Sequence, residues 1–211
     1  MSEPSTVIWN LDNKQYPGSG DVVCRFYPEN ITQNDKQIIY SGTYDNGTYK
    51  SGFMDSKGKF SFQYGFIEIR CKVPQVPCVW ANLYLADDVN DIWPRLGEID
   101  ILQVLGTLDN SLAVHAGSDP AHHVQNELRL APSDWKSQYH TFAVDWQPSK
   151  VIWYVDNVEV FRSLIYVPQN PLYVYMTMVV DNVIHGQKYS ANPDDFPVVF
   201  DIDYLKIWQR K

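Results

Sequence analysis

The sequence predicts an all-β protein built as an antiparallel β-sandwich. Three observations support this fold class. Most periodic segments alternate apolar and polar residues, as half-buried strands do. Pro, Gly and Asn separate these short segments, and no long segment has the apolar period of an amphipathic helix. Frequent short strands with such punctuation favour two packed sheets. Because the 211 residues contain no repeat or linker, we expect one domain over residues 1–211.

The individual strands follow from local patterns in chain order. The alternating stretch 60–73 ends at Pro74 and Pro77, since proline cannot donate to a strand ladder. Asp156-Asn157 predicts a two-residue hairpin turn, because both residue types tolerate positive φ. The predicted strands are 60–73, 79–86, 98–105, 112–116, 139–146, 151–155, 158–161, 173–180 and 198–208.

Composition excludes several classes of partner. The 25 Asp and Glu outnumber the 17 Lys and Arg, and the net charge of −8 argues against nucleic acid or an anionic membrane as partner. No apolar run reaches the ~18 residues that a membrane span needs. The first residues show no signal peptide. Cys24, Cys71 and Cys78 match no metal-binding spacing, so we expect buried or free thiols.

A pair of carboxylates marks the predicted strand 98–105. Glu98 and Asp100 are two residues apart, so both point to one face of that strand. Core packing does not favour two like charges at close range, whereas acid–base or nucleophilic chemistry can use them. Gln103 is out of step with this alternation, and a single β-bulge would return it to the same face.

Two aromatic side chains lie near this pair in the sequence. Trp93-Pro94 falls in the loop before Glu98, where Pro94 stiffens the approach to the strand. His115 falls on the next predicted strand and could share the polar face, although a single His on a strand is more often structural. By contrast, His122-His123 is interpreted as loop surface, since two adjacent histidines alone make no site.

The order of several motifs resembles glycoside hydrolase family 16. The resemblance covers residues 50–208 and includes a Tyr-Gly-x-x-Glu-x-Arg-x-Lys-x-Pro segment. The matching segments are Ser51-Gly52, Ser56-Lys57-Gly58-Lys59-Phe60, residues 64–74, Trp80-Ala81-Asn82-Leu83-Tyr84, Trp93-Pro94, Gly97-Glu98-Ile99-Asp100-Ile101, Tyr139-His140-Thr141-Phe142, Asp145-Trp146, Trp153-Tyr154-Val155-Asp156 and residues 203–208.

The resemblance implies a jelly-roll fold with a concave substrate cleft and a retaining endo-β-glucanase of the laminarinase or lichenase type. Its substrate would be a β-1,3 or mixed β-1,3/1,4-glucan, cleaved through a glycosyl-enzyme intermediate. Glu98 would be the nucleophile, Asp100 the residue that tunes it, and position 103 the general acid/base. The implied substrate-binding residues are Trp93, His115, Arg70, Trp80, Asn82 and Tyr84, with Tyr84 standing where many relatives have Trp.

The same resemblance implies no cofactor for catalysis. Family members often carry a structural calcium, for which Asp203 is the expected ligand here; a surface Asp on an edge strand is the other interpretation. A polysaccharide substrate implies an extracellular or periplasmic location. We expect a monomer.

Gln103 changes the predicted chemistry. Retaining hydrolysis needs a carboxylate that attacks and a carboxylic acid that protonates the leaving oxygen, about 5 Å apart. An amide can hydrogen-bond that oxygen but cannot protonate it, and such general acid help is worth ~10²–10⁴-fold. We therefore expect normal glucan binding and very slow cleavage. The retained Glu98 and Asp100 favour an introduced Glu-to-Gln substitution over a naturally inactive relative. A non-catalytic β-glucan-binding module and a transglycosylase stay open as alternatives.

Overall fold

The computed structural model describes residues 7–11, 13–15, 24–34, 36–45, 47–87, 92–106, 109–131, 133–184, 187–190 and 192–209. Within these residues the chain is almost entirely β-structure, and its strands pair antiparallel except for one short parallel pair. The described helical segments are single 3₁₀ turns at Pro28–Asn30, Pro120–His122 and Pro193–Asp195. None of the described helices is long and apolar enough to cross a membrane. The predicted all-β antiparallel sandwich is confirmed.

Twenty strands are present in the described part of the chain. They are β1 (Asn10–Leu11), β2 (Lys14–Gln15), β3 (Cys24–Phe26), β4 (Ile31–Gln33), β5 (Ile38–Asp45), β6 (Thr48–Ser51), β7 (Phe53–Asp55), β8 (Ser61–Phe62), β9 (Gly65–Lys72), β10 (Val79–Asp87), β11 (Glu98–Leu105), β12 (Asn110–Ala116), β13 (Val124–Leu130), β14 (His140–Gln147), β15 (Lys150–Val155), β16 (Val158–Ser163), β17 (Leu172–Val180), β18 (Val183–Ile184), β19 (Gln187–Lys188) and β20 (Val198–Gln209).

These strands form two large sheets and a short ribbon. The first sheet has the order β1-β7-β17-β10-β11-β12-β13, with β8 paired to β17. The second sheet has the order β16-β15-β14-β9-β20-β5-β6-β3-β2, with β4 paired to β5. Strands β18 and β19 make the ribbon. Strand β11 is paired with β10 on one side and β12 on the other. Its polar residues therefore lie within the surface of the first sheet and not at its edge.

One hydrophobic core lies between the two sheets. On β9 every second residue is buried, which is the alternation of a strand with one face in the core. The largest fully buried side chains include Trp146, Trp153 and Phe142 from the second sheet and Leu83 and Leu85 from the first. All three cysteines are buried free thiols, as expected.

Two local details refine the strand assignments. The predicted strand 60–73 is broken into β8 and β9, because Tyr64 has φ 59° and Gly65 has φ 155°. A Cβ atom on Gly65 would lie 2.5 Å from the Trp208 carbonyl oxygen, so this break requires glycine. The predicted hairpin turn is confirmed, since Asp156 and Asn157 have φ of 48° and 65° and join β15 to β16.

Candidate active site

A β-bulge in β11 places the three polar residues of this strand on one face. Opposite β10, the consecutive residues Leu83 and Tyr84 pair with Leu102 and Asp100, so Ile101 is the extra residue. The pairing with β12 shifts over the same stretch of β11. The core-facing residues of β11 are Ile99, Ile101, Leu102 and Val104, each at most 1% exposed. The predicted bulge is therefore present, and Glu98, Asp100 and Gln103 share the outer face of the first sheet, here called the cleft face.

Glu98 is held by hydrogen bonding from the loop that precedes β11. The indole Nε1–H of Trp93 donates to Oε2 of Glu98 over 3.0 Å. The ring of Trp93 is 40% exposed. Burial and the neighbouring Asp100 charge raise the pKa of Glu98, while His115 and the Trp93 hydrogen bond lower it. Trp93 thus favours the ionised form of the predicted nucleophile.

Asp100 is the most deeply buried charge of the site. Its side chain is 1% exposed, and its Oδ2 lies 2.7 Å from Nε2 of His115. Burial raises the pKa of Asp100 to about 7, while the Glu98 and Gln103 side chains lower it. Because burial and like charge both penalise a doubly charged pair, ionisation of Glu98 and Asp100 together is disfavoured.

His115 joins Asp100 to a second histidine. Nδ1 of His115 lies 2.7 Å from Nε2 of His123, and the two rings are nearly parallel with centroids 5.0 Å apart. Trp93 packs over both imidazoles, with its centroid 4.8 Å from that of His123. His115 therefore shares the cleft face with the carboxylates, as expected, but it also belongs to a chain of polar groups that the sequence did not reveal.

The remaining predicted cleft residues lie on β10. Asn82 is paired with Gln103 across the strands, and Tyr84 is paired with Asp100. The Tyr84 ring stacks on Tyr175 at 4.7 Å between centroids, and Asn82 donates to Thr177 Oγ1 over 3.0 Å. Trp80 lines a cavity of about 390 Å³ beside Gln103. These three positions are compatible with sugar binding, and their roles stay predictions.

A carboxylate near Gln103 is already engaged by other residues. Glu127 lines the same cavity, where Ser111 Oγ donates to its Oε1 at 2.5 Å and Gln125 Nε2 donates to its Oε2 at 3.0 Å. Arg129 Nη2 lies 3.0 Å from Oε1. Because these hydrogen bonds and this ion pair already occupy both carboxylate oxygens, we do not assign Glu127 as a substitute general acid.

The expectation that Arg70 binds substrate is wrong. Arg70 lies on β9 of the second sheet, on the face turned away from the core, whereas the cleft face belongs to the first sheet. Its Nη1 pairs with Asp203 Oδ2 at 2.5 Å, and its guanidinium lies 4.5 Å from the centre of the Tyr139 ring. Strand alternation indicates an outward residue, but it does not say which sheet carries it.

The same ion pair argues against the expected calcium ligand. The guanidinium of Arg70 holds Oδ2 of Asp203, and its positive charge would repel a cation there. Asp203 also belongs to no described group of three metal-ligating side chains. The expected calcium, held by backbone carbonyls together with Asp203, stays a prediction, and we derive no role for a metal from it.

Comparisons with known proteins identify the family of this chain. The model of glycosyl hydrolases family 16 matches residues 18–196. A glucan endo-1,3-beta-glucosidase A1 of Niallia circulans is 27% identical over 233 residues, which covers all of this chain and 34% of that protein. A beta-1,3-glucan-binding protein of Tenebrio molitor is 32% identical over 116 residues, which covers 51% of this chain and 24% of that protein. The chain thus spans 34% and 24% of the lengths of these two relatives.

Solved structures show the same fold. The laminarinase from Flavobacterium sp. UMI-01 superposes with a TM-score of 0.84 at 24% identity, covering 99% of this chain and 96% of that chain. At this identity the similarity concerns the fold alone.

Proposed function

Because this chain belongs to glycosyl hydrolases family 16, we propose that its cleft face binds a β-1,3 or mixed β-1,3/1,4-glucan. We further propose that Glu98, Asp100 and position 103 are the machinery of a retaining endo-glucanase, slowed here by Gln103. The observation that carries this proposal is the bulge at Ile101, which gathers these three side chains on one face of β11. Relatives that act on or bind β-1,3-glucan support the substrate class.

The first chemical step needs one carboxylate and one proton. A carboxylate oxygen of Glu98 forms a bond to the anomeric carbon while the glycosidic C–O bond breaks. The departing oxygen must receive a proton, and the amide of Gln103 has no acidic proton to give. The step therefore expels an alkoxide and becomes slower by about 10²–10⁴-fold. Trp93 and Asp100 still orient and tune Glu98. Because the amide of Gln103 can still hydrogen-bond the glycosidic oxygen, we expect glucan binding to be retained.

Water must be activated in the second step, in which the glycosyl–Glu98 bond is cleaved. In the retaining mechanism the carboxylate at position 103 would take the proton of that water. Gln103 cannot accept it, so both covalent steps are slowed. This double loss favours a substitution that was introduced to trap a bound glucan, since Glu98 and its partners are all retained.

A non-catalytic glucan-binding module is the second proposal. Gln103 and the beta-1,3-glucan-binding relative favour it. It offers no reason for the Trp93–Glu98 and His115–Asp100 hydrogen bonds, which orient groups that binding alone does not require. A transglycosylase would use the same residues with a sugar in place of water.

Hydrolysis assays separate these proposals. The protein with Gln103, its Gln103→Glu variant and the control Gln138→Glu are compared on laminarin and on mixed-linkage barley glucan. Gln138 is exposed in the segment before β14, so the control adds the same charge to the second sheet. We expect Gln103→Glu alone to raise the rate by about 10²–10⁴-fold. Binding without cleavage by all three proteins would favour the module, and transfer to added oligosaccharides would identify a transglycosylase.

A further inference from the structure

The carboxyl of Asp100 has no direct access to solvent, yet its proton matters for the chemistry of Glu98. Its side chain is 1% exposed and lies beneath the cleft face. From Oδ2, one contact of 2.7 Å leads to Nε2 of His115, and a second contact of 2.7 Å leads from Nδ1 of His115 to Nε2 of His123. His115 is 13% exposed and His123 is half-buried, so exposure increases along this line.

We propose that His115 and His123 form a proton wire that connects the buried carboxyl of Asp100 to solvent. His123 is then a positioning residue that acts through His115 on the Glu98–Asp100 pair. This inference rests on the proposed function, because it assigns a role to Asp100 as the residue that tunes Glu98.

The wire has two complementary arrangements. In the first, Asp100 is ionised and accepts from Nε2–H of His115, whose Nδ1 accepts from Nε2–H of His123. A proton that binds Nδ1 of His123 lets each N–H move one step inward. His123 gives its Nε2 proton to Nδ1 of His115, and His115 gives its Nε2 proton to Oδ2 of Asp100.

In the second arrangement Asp100 is a neutral acid and both imidazoles carry their proton on Nδ1. One proton has entered at His123 and one has been bound at Asp100, so the transfer balances. The reverse sequence releases a proton while a glucan covers the cleft face.

The wire requires that both imidazoles are neutral. If both rings were charged, the Nδ1–H of His115 and the Nε2–H of His123 would point at each other and neither nitrogen could accept. Burial lowers the pKa of His115, with Glu98 and Glu127 opposing it. Burial and the neighbouring His115 lower the pKa of His123. Four titratable side chains face His115. They are Asp100 and Glu98 from β11, Glu127 from β13, and His123 from the loop before β13. The neutral form predominates at neutral pH for both rings.

The loop before β13 is built to place His123. A Cβ atom on Gly117, whose φ is 147°, would lie 2.4 Å from the carbonyl oxygen of His122, so the chain can approach itself this closely only at a glycine. The Asp119 carboxylate accepts from the backbone N–H groups of Ala121 and His122 and caps the 3₁₀ turn. Trp93 then covers the His123 ring. The position of His123 is therefore fixed by its own loop.

The test follows the His115 ring protons by NMR in ¹⁵N-histidine-labelled native protein, His123→Gln and the matched control His122→Gln. Gln can hydrogen-bond His115 but cannot pass a proton on. We expect scalar coupling across the His115–His123 hydrogen bond in the native protein and the control. Exchange of the His115 Nε2 proton with solvent should slow by about tenfold in His123→Gln alone. Absent coupling, or unchanged or faster exchange in His123→Gln, overturns the wire.

A kinetic arm links the wire to catalysis. In the Gln103→Glu background, His123→Gln should lower kcat by about tenfold at unchanged KM and shift the pH profile, while His122→Gln leaves both unchanged. Unchanged kcat in His123→Gln contradicts a role in turnover. If Gln103→Glu itself is inactive, the proposed function fails, and proton exchange in the native chain still decides on the wire.

Discussion

The indole of Trp153 reaches across the core from the second sheet and donates its Nε1–H to the backbone carbonyl oxygen of Asp100, over 2.6 Å. Trp153 lies on β15 and is fully buried. Asp100 is the residue directly before the bulge at Ile101, where the regular ladder of β11 is interrupted. A side chain of one sheet therefore supports the irregular backbone that carries the candidate active site on the other sheet.

Replacing this indole tests whether the second sheet supports the bulge. Trp153→Phe keeps a buried ring but leaves the Asp100 carbonyl without its side-chain donor, which costs about 1–3 kcal/mol. We expect the free energy of unfolding, measured by denaturant titration, to fall by at least that amount. The control Trp208→Phe changes a 49% exposed ring of β20. Its free energy of unfolding should lie within about 0.5 kcal/mol of that of the unsubstituted protein. Equal effects of the two variants would show that the hydrogen bond contributes nothing.

The buried carboxyl of Asp100 predicts a pH-dependent stability. Its pKa in the folded protein is about 7, whereas an unfolded Asp has a pKa of about 3.9. The folded state therefore binds this proton more tightly. The stabilisation that comes from binding this proton at Asp100 is fully present below about pH 4 and is lost as the pH rises to about 7.

Asp100→Asn removes this penalty. We expect the variant to be more stable than the native protein at pH 8, by an amount on the order of a few kcal/mol, and close to it at pH 4. Thermal unfolding at both pH values measures the difference, with the exposed Asp195→Asn as control. A stability gain that is the same at pH 4 and pH 8 would contradict the assignment.

Trp93 is expected to act on Glu98 as well as on the sugar. Trp93→Phe in the Gln103→Glu background keeps a ring over His123 and removes the N–H that bonds Oε2 of Glu98. Because that hydrogen bond lowers the pKa of Glu98, its loss should move the acidic limb of the kcat/KM profile to higher pH. We also expect kcat/KM to fall by about ten- to a hundredfold. Trp208→Phe, a change in an exposed ring of the second sheet, serves as control, and an unmoved acidic limb would limit Trp93 to sugar stacking.

The sequence revealed the cleft face because that face depends on local rules. Alternation placed Glu98 with Asp100, and the misplaced Gln103 indicated the bulge. Strand β11 has the predicted bounds, since its apolar run ends at Gly97 and Gly106. These features can be predicted from the residues within a few positions of the site.

Contacts that join distant segments could not be predicted in the same way. Arg70 lies in an outward position of a strand, as its pattern indicates, but the pattern does not assign that strand to a sheet. Trp153 was one apolar residue of an alternating strand, and nothing local marks its donation to Asp100. His123 was interpreted as surface because its partner, His115, is eight residues away across a turn; the only local signals were Gly117 and the Asp119-Pro120 cap.

The most direct test of the central claim uses a substrate that needs no acid. A 2,4-dinitrophenyl laminaribioside has a leaving group that departs unprotonated, so Glu98 can attack while Gln103 is unable to complete hydrolysis. The protein with Gln103 should release a burst of dinitrophenolate and accumulate a glycosyl adduct, which intact-mass and peptide mass spectrometry would locate on Glu98. Glu98→Gln should show neither. The absence of a burst in the protein with Gln103, or an adduct on another residue, would contradict the assignment of Glu98 as nucleophile and Gln103 as the disabled acid/base.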